Sequence, residues 1–347
     1  MSDRAHLDPS REGRAPGAAS AGASTGPRSP DGASTGPRSP DGASTGARSP
    51  DGASSATAGT PPWFEVTEPA RGETPLLVEV PHAGLMLDPE ALAWTLAPAR
   101  SIAADADLYV DEIVREAPAV GATLLVAHAS RYLVDLNRGP DDFDAEAVDG
   151  GGQPVPPRRR LAPDHRRRPG AGGAALAQEL ERRMAMVYRP YHATLERILA
   201  RKRARFGCAV LLCAHSMPSA TRPRAGWPPA PPVARADIVP GTRGRTTAAG
   251  NLIDVVERVA GRHGLSVRHD DPYRGGFSTA HYGKPGNSIH AIQVEIARRL
   301  YMDEASLQRR PPALGTVREF AGILMNELGA ATSCLVGRPG EASAEPT

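Results

Sequence analysis

Four short apolar runs end on polar residues or contain them, and they organise the predicted fold. The runs are LLVEV at 76–80, LVDLNR at 133–138, AVLLCAHS at 209–216 and AIQVEI at 291–296. Runs of this length that are rich in branched aliphatic residues predict buried strands. In an open α/β sheet, ligands collect outside the carboxyl ends of the strands. If all four runs belong to one sheet, we expect their polar residues to converge on one site.

Apolar residues at helical spacing separate these runs. The predicted helices lie at 105–117, 174–205, 248–263 and 316–328. Asp88 followed by Pro89 predicts a further helix N-terminus, and the long helix is predicted to bend before Pro190. Asp107 and Asp111 are four residues apart and so share one face of their predicted helix. Strands that alternate with helices predict an α/β fold with a largely parallel or mixed sheet.

The beginning of the chain has a different composition. The decamer GASTGPRSPD occurs at 22–31 and 32–41 and recurs with one substitution at 42–51. These repeats contain no Leu, Ile, Val or aromatic residue, so burial cannot offset the entropy of ordering them. They form either a passive tail or a docking and phosphorylation segment built on the Ser-Pro steps. We predict a disordered tail, a catalytic domain and a flexible C-terminal tail, at 1–61, 62–332 and 333–347.

Charge and composition limit the classes of partner. The formal net charge is +2, which is too balanced to indicate a nucleic-acid partner. Arginine triplets at 158–160 and 166–168 lie in a predicted surface loop without interleaved aromatic residues, which favours a solvated loop. No apolar run approaches the roughly 18 residues of a transmembrane helix, and the N-terminus has no apolar signal region. We therefore expect no nucleic-acid or membrane partner, and the oligomeric state stays open.

The cysteines indicate the compartment. Cys208, Cys213 and Cys334 are few, odd in number and without the spacing of a metal site. Such cysteines favour a reduced, cytoplasmic setting over a disulfide framework.

Two histidines stand at the carboxyl ends of predicted strands. His82 follows the first run and His215 lies near the end of the third. Histidine is the commonest metal ligand, and a catalytic zinc typically takes three protein ligands and keeps a water. The two histidines and a carboxylate would suffice, with Asp107 or Asp111 as candidates for the third ligand. The alternative is that each histidine is a hydrogen-bonded structural residue.

An acid and two arginines complete the candidate chemistry. Glu295 lies inside an apolar run, where a glutamate is rare unless it is paired or functional. It is either the general base of a zinc hydrolase or half of a buried salt bridge. Asn137 and Arg138 end the second run, and Arg243 stands in a glycine-flanked turn. Since guanidinium groups bind carboxylates in a bidentate manner, these residues suit an acidic, amino-acid-like substrate. The alternative is that each arginine lies on a solvated surface.

Six segments together resemble the N-formylglutamate amidohydrolase family. They are PHAG at 81–84, DLYVDEIV at 107–114, RYLVDLNR at 131–138, YRPYHATL at 188–195, AHSMPS at 214–219 and IQVEIARRLYMDE at 292–304. The resemblance covers 63–330 with the motifs in family order. It implies a three-layer, zinc-exopeptidase-like α/β fold with a mixed central sheet, related to carboxypeptidases and aspartoacylase. It also implies hydrolysis of N-formyl-L-glutamate to formate and L-glutamate, a late step of histidine degradation.

The resemblance also implies roles for single residues. By motif, His82 and His215 are zinc ligands, and Glu295 takes a proton from a zinc-activated water and passes it to the leaving nitrogen. Asn137 and Arg138 match the pair that holds a substrate carboxylate in related zinc exopeptidases.

This chain departs from the pattern at three positions. Ala83 stands where the family commonly has Ser, and Leu85 where related exopeptidases have a glutamate ligand, so Asp107 is predicted to be the third ligand. Thr242 precedes Arg243 where the family usually has Asp. These departures leave open a related metallo-amidase or carboxypeptidase that acts on another N-acyl amino acid or peptide. A non-catalytic binding protein on the same scaffold is the remaining alternative.

Overall fold

A six-stranded sheet lies at the centre of the domain that the structure describes. The structure is a computed structural model that describes residues 62–69, 72–95, 97–142, 173–221 and 231–332. The strands of the sheet are β1 (Phe64–Thr67), β2 (Leu76–Val80), β3 (Thr123–Ala127), β4 (Ala209–Met217), β5 (Ile238–Gly241) and β6 (Ile289–Ala297). Their order is β1-β3-β2-β4-β6-β5, in which the four central strands are parallel and both edge strands antiparallel. The predicted mixed sheet is confirmed.

Helices cover both faces of this sheet. They are α1 (Pro89–Trp94), α2 (Ala99–Asp105), α3 (Val110–Val114), α4 (Gly173–Arg183), α5 (Arg189–Phe206), α6 (Gly250–Arg262), α7 (Phe277–Tyr282) and α8 (Pro311–Ala331). Val78 and Leu212 pack on one face against α3, α6 and α8, whereas Leu77 and Leu211 pack on the other against α5. Strands that are buried on both faces are apolar at nearly every position, which explains why the sequence predicted them. A two-stranded ribbon, β7 (Met302–Asp303) with β8 (Gln308–Arg309), stands apart from the sheet.

Local signals place two helix boundaries as predicted. Helix α1 begins at Pro89, and the Asp88 side chain accepts a hydrogen bond from the N–H of Ala91. The long helix is interrupted by a π-helical turn, Met184–Tyr188, immediately before α5. Because proline lacks an N–H and its ring crowds the preceding turn, we attribute this widened turn to Pro190.

The run at 133–138 was predicted to be a strand, and that prediction is wrong. The segment forms consecutive turns. Leu133 is buried in the core as a strand residue would be, but its N–H bonds to the carbonyl of Ser130 at 2.8 Å. The N–H of Asn137 bonds to the Asp135 carboxylate at 3.0 Å. These local bonds replace the hydrogen bonds of a sheet, so the run contributes a loop at the edge of the sheet.

The prediction that Asp107 and Asp111 share one face of a helix is also wrong. Helix α3 begins only at Val110, after Tyr109 in the left-handed conformation at φ 67°. Asp107 precedes the helix, and its N–H bonds to the carbonyl of His82 at 2.9 Å. Asp107 is therefore buried next to His82, whereas Asp111 is half-buried on the helix itself.

Several predictions fall outside the described residues. They concern the repeat tail 1–61, the arginine triplets 158–160 and 166–168, and the tail 333–347 with Cys334. Within the described ranges, Cys208 and Cys213 are buried free thiols. No helix in those ranges is long and apolar enough to cross a membrane.

One acidic side chain lies in the middle of the sheet. Glu79 of β2 is completely buried, and its Oε1 accepts hydrogen bonds from the hydroxyls of Ser278 at 2.9 Å and Tyr191 at 3.1 Å. Burial raises the pKa of Glu79, outweighing the thiol of Cys213 and the hydroxyls, which favour the charged form. The folded protein therefore keeps this carboxyl neutral at pH values where the unfolded chain has ionised it.

Replacing Glu79 with glutamine should remove a pH dependence of stability. The stability that the neutral acid contributes is complete below its unfolded pKa of about 4.3 and is lost as the pH rises towards the raised folded pKa. The slope of that loss is at most about 1.4 kcal/mol per pH unit. Urea unfolding should show that the free energy of unfolding of Glu79→Gln rises relative to that of the native protein between pH 5 and pH 7. Glu319→Gln on the exposed side of α8 is the control, and a pH-independent difference for Glu79→Gln would contradict the prediction.

Candidate active site

The carboxyl ends of β2, β4 and β6 border a cleft of about 900 Å³. From β2 the chain continues to β3 on one side and returns to β4 on the other, and such a switch point is where open α/β sheets bind ligands. His82 lies two residues after the end of β2, and His215 of β4 lies opposite Glu295 of β6. The structure thus brings these three side chains to one edge of the sheet.

Two histidines and an aspartate form a group that could hold a metal ion. His82, Asp107 and His215 each offer one ligand atom, and these atoms lie within 4.8 Å of one another. Oδ2 of Asp107 is 2.9 Å from Nδ1 of His215 and 3.6 Å from Nδ1 of His82. All three side chains are buried. Two imidazoles and a carboxylate are a donor set of catalytic zinc sites, so these residues fit such an ion, whereas Asp111 is outside the group.

A carboxylate fixes the ring of His82 from the other side. Nε2 of His82 is 2.7 Å from Oδ1 of Asp135, and Oδ2 of Asp135 accepts from Arg131 at 2.7 Å. Burial raises the pKa of Asp135, but Arg131 and His82 outweigh it and hold that pKa well below its usual range. A proton on Nε2 therefore donates to Asp135 and leaves Nδ1 free to bind a metal. Sequence reasoning missed Asp135, although an acid inside an apolar run was the same signal that singled out Glu295.

Two further polar side chains orient Asp107. Its Oδ1 accepts from the Ser216 hydroxyl at 3.0 Å and from Arg298 at 3.4 Å. Arg298 also donates to the carbonyls of Ala104 and Ala106, at 2.6 and 2.8 Å. Although burial opposes it, hydrogen bonds from His215 and His82 hold the pKa of Asp107 well below its usual range. The carboxylate is thus ionised and held in one orientation.

Glu295 is a buried acid that can exchange a proton near neutral pH. Burial raises its pKa to about 7, with the charge of His215 opposing and that of Asp107 adding to the rise. The Gln293 amide donates to Oε1 of Glu295 at 2.7 Å. Since a general acid or base works best when its pKa lies near the working pH, Glu295 has the ionisation that such a role requires.

The amide of Asn137 is surrounded by protein partners. Its Nδ2 lies 3.2 Å from Nε2 of His215 and 3.2 Å from Oε1 of Gln293, and its Oδ1 accepts from the N–H of Ser278 at 3.0 Å. A Cβ atom on Gly276 would lie only 2.3 Å from that Nδ2, so only glycine fits there. Asn137 lines the cleft, but its hydrogen bonds hold the floor of the cleft together.

Arg138 and Arg243 both line the cleft. Within the described ranges, the guanidinium of Arg138 makes no hydrogen bond or ion pair. Arg243 is exposed, and its Nη1 donates to the carbonyl of Gly275 at 3.2 Å. Thr242 is completely buried beneath the turn, and its hydroxyl accepts from the N–H of Arg245 at 3.1 Å. Because aspartate makes the same kind of turn bond, Thr242 serves the turn and lies outside the cleft lining.

Comparisons with known proteins identify a family. The model of the family described as N-formylglutamate amidohydrolase matches residues 74–302. The chain is 35% identical over 241 residues to an N-formylglutamate deformylase of Pseudomonas aeruginosa, covering 69% of this chain and 86% of the relative. It is 33% identical over 235 residues to an N-formylglutamate deformylase of Pseudomonas putida, covering 67% and 84%.

Solved structures share the fold. The crystal structure of an N-formylglutamate amidohydrolase from Ralstonia eutropha JMP134 matches with a TM-score of 0.67 and 28% identity, over 79% of this chain and 99% of that one. A gene product of Agrobacterium tumefaciens matches with a TM-score of 0.55 and 21% identity, over 79% and 96%. The second likeness shows the fold alone.

Proposed function

The chain belongs to the N-formylglutamate amidohydrolase family, and we propose that this hydrolase of an amide bond releases formate and L-glutamate from N-formyl-L-glutamate. The observation that carries the proposal is the buried group His82, Asp107 and His215 with Glu295 beside it. The deformylase relatives act on N-formylglutamate by their names. The group contains the donors of a catalytic metal and an acid with a pKa of about 7, the two parts that hydrolysis of an amide requires.

We propose that the metal is zinc, held by His82, Asp107 and His215. When bound, zinc would polarise the formyl carbonyl and make the attacking water more acidic. Asp135 holds the His82 ring so that Nδ1 faces Asp107, and Arg298 with Ser216 holds the Asp107 carboxylate.

Glu295 moves the proton in this proposal. Its carboxylate takes a proton from the attacking water and delivers it to the departing nitrogen, so the amine leaves as a neutral group. Gln293 orients the carboxylate by donating to Oε1. Glu295 is buried at the cleft lining, where its carboxylate can contact a water in the site.

We also propose a zinc-exopeptidase-like architecture and a cytoplasmic setting. The three layers and the position of the site at the switch point support the zinc-exopeptidase-like architecture. The buried free thiols of Cys208 and Cys213 suit a reducing compartment, so we propose that the reaction takes place in the cytoplasm. The product, L-glutamate, fits a late step of histidine degradation.

A substrate panel tests the proposed function. The zinc-loaded protein is supplied with N-formyl-L-glutamate, N-acetyl-L-glutamate and a dipeptide that ends in glutamate, and released acid and free amine are measured separately. We expect equal amounts of formate and glutamate from the first substrate, with kcat/KM of about 10⁴ M⁻¹s⁻¹ or more. Faster release from the acetyl compound or the dipeptide would identify another metallo-amidase or carboxypeptidase, and no release from any substrate would indicate a binding protein.

A further inference from the structure

Six arginines line the cleft together with five acids, which are Asp105, Asp107, Asp135, Asp142 and Glu295. Its arginines are Arg131, Arg138, Arg235, Arg243, Arg274 and Arg298. Arg131 pairs with Asp135, and Arg298 contacts Asp107. Arg235 donates to the carbonyl of Pro218 and lies over the ring of Tyr273. The guanidinium groups of Arg138, Arg243 and Arg274 therefore have no carboxylate partner among the described residues.

Arg243 and Arg274 come from two loops that are bonded to each other. The N–H of Arg243 donates to the carbonyl of Arg274 at 2.9 Å, and its guanidinium donates to the carbonyl of Gly275 at 3.2 Å. The loops approach so closely that a Cβ atom on Gly241 would lie 2.6 Å from the backbone nitrogen of Gly275. The backbone thus holds the two exposed arginines at neighbouring positions in the lining of the cleft.

Asp270 fixes the turn that carries Arg243. Its Oδ1 accepts from the N–H groups of Thr242 at 2.8 Å and Arg243 at 3.0 Å, and its Oδ2 accepts from the N–H of Gly244. Arg243 itself has a positive φ of 52°, a conformation that is rare without such support. The Asp270 carboxylate stabilises this turn, and so it sets the direction of the Arg243 side chain.

Two arginines that line one cleft from bonded loops and have no carboxylate partner raise the positive potential there and favour the binding of an anion. N-formyl-L-glutamate has two carboxylates, and Arg138 with Asn137 was predicted to hold only one of them. The second carboxylate requires a partner of its own in the cleft.

We propose that Arg274 is a specificity-determining residue that forms, with Arg243, the site for the second carboxylate of a dicarboxylic N-acyl amino acid. Asp270 is the positioning residue of this site. The inference rests on the proposed function and states which residues select the acidic side chain of its substrate. N-formyl-L-glutamine, which has nearly the same shape but a neutral side chain, should bind the same cleft without using this arginine pair.

Substituting Arg274 tests the proposal directly. We expect Arg274→Gln to lower kcat/KM for N-formyl-L-glutamate by about 10- to 100-fold, the effect of losing a charge-assisted hydrogen bond, mainly through KM. For N-formyl-L-glutamine we expect less than about a threefold change, so the ratio between the two substrates falls. Arg268→Gln is the matched control, because Arg268 is an exposed arginine nearby that pairs with Asp271 outside the cleft.

Asp270 variants test the positioning role. Asp270→Ala should lower the same substrate ratio, and Asp270→Asn should restore part of it because its remaining oxygen still accepts backbone hydrogens. A change in stability alone would reduce turnover of both substrates equally and leave the ratio unchanged.

Binding separates this inference from the proposed function. Calorimetric titration of N-formyl-L-glutamate and N-formyl-L-glutamine into zinc-loaded protein with Glu295→Gln measures the same preference without turnover. If the Glu295→Gln protein prefers the dicarboxylate and the added substitution Arg274→Gln removes the preference, the inference is supported. This holds even if the native protein does not release formate. An unchanged preference in Arg274→Gln would overturn it, whatever the native protein hydrolyses.

Discussion

Replacing Glu295 with glutamine is expected to lower kcat for N-formyl-L-glutamate by about 10²- to 10⁴-fold while zinc remains bound. Glutamine has nearly the same shape and keeps an oxygen for the Gln293 hydrogen bond, but it cannot take up a proton. Burial raises the pKa of Glu295 to about 7, so the native side chain can accept and release a proton near neutral pH.

The measurement is kcat together with the zinc content of each preparation, determined by mass spectrometry. Glu79→Gln is a matched control, since Glu79 is an equally buried glutamate that lies outside the cleft lining and should keep its kcat within about threefold. Full turnover by zinc-loaded Glu295→Gln would show that another group moves the proton.

His82→Ala is expected to reduce the zinc content from about one equivalent per chain to less than about a tenth and to abolish measurable turnover. Only Asp107 and His215 remain as donors, and catalytic zinc sites typically require three protein ligands. The variant also leaves the buried carboxylate of Asp135 with Arg131 as its partner, so some loss of thermal stability is expected as well.

Zinc is measured after dialysis against a weak chelator, with folding checked by circular dichroism. His128→Ala provides the control. His128 is partly exposed, its Nε2 lies 3.5 Å from a carboxylate oxygen of Glu65, and neither residue lines the cleft. A His82→Ala protein that keeps a full equivalent of zinc through dialysis would remove His82 from the ligand set.

The sequence predicted the strands that position the site for a physical reason. The central strands are buried on both faces, so β2, β4 and β6 appear as continuous apolar runs, and their carboxyl ends must share one edge because they are parallel. This reasoning placed His82, His215 and Glu295 near one another. It failed for 133–138, because a buried loop and a buried strand can have the same apolar content.

Other parts of the site depend on contacts that no local pattern contains. Asp107 was predicted as the third ligand because Leu85 lacks a carboxylate, and the helix predicted to carry it begins only at Val110. Asp107 reaches the histidines because its N–H bonds to the carbonyl of His82. The support of Arg243 by Asp270 joins residues 27 positions apart. No local pattern identifies Gln293, because an amide within an apolar run has no single chemical meaning until its partners are known.

The orientation of the side-chain amides follows from two backbone groups that can only donate. Because the N–H of Ser278 donates to Asn137, Asn137 must turn its oxygen there and its NH₂ group towards Gln293. The N–H of Gly276 donates to the same Gln293 oxygen, so Gln293 must turn its own NH₂ group to Glu295. The main chain at the start of α7 thus imposes a one-way order of donors and acceptors that ends at Glu295. An aspartate at 137 would still accept from the N–H of Ser278 but could not donate to Gln293, so it would break that order although it would fill the same space.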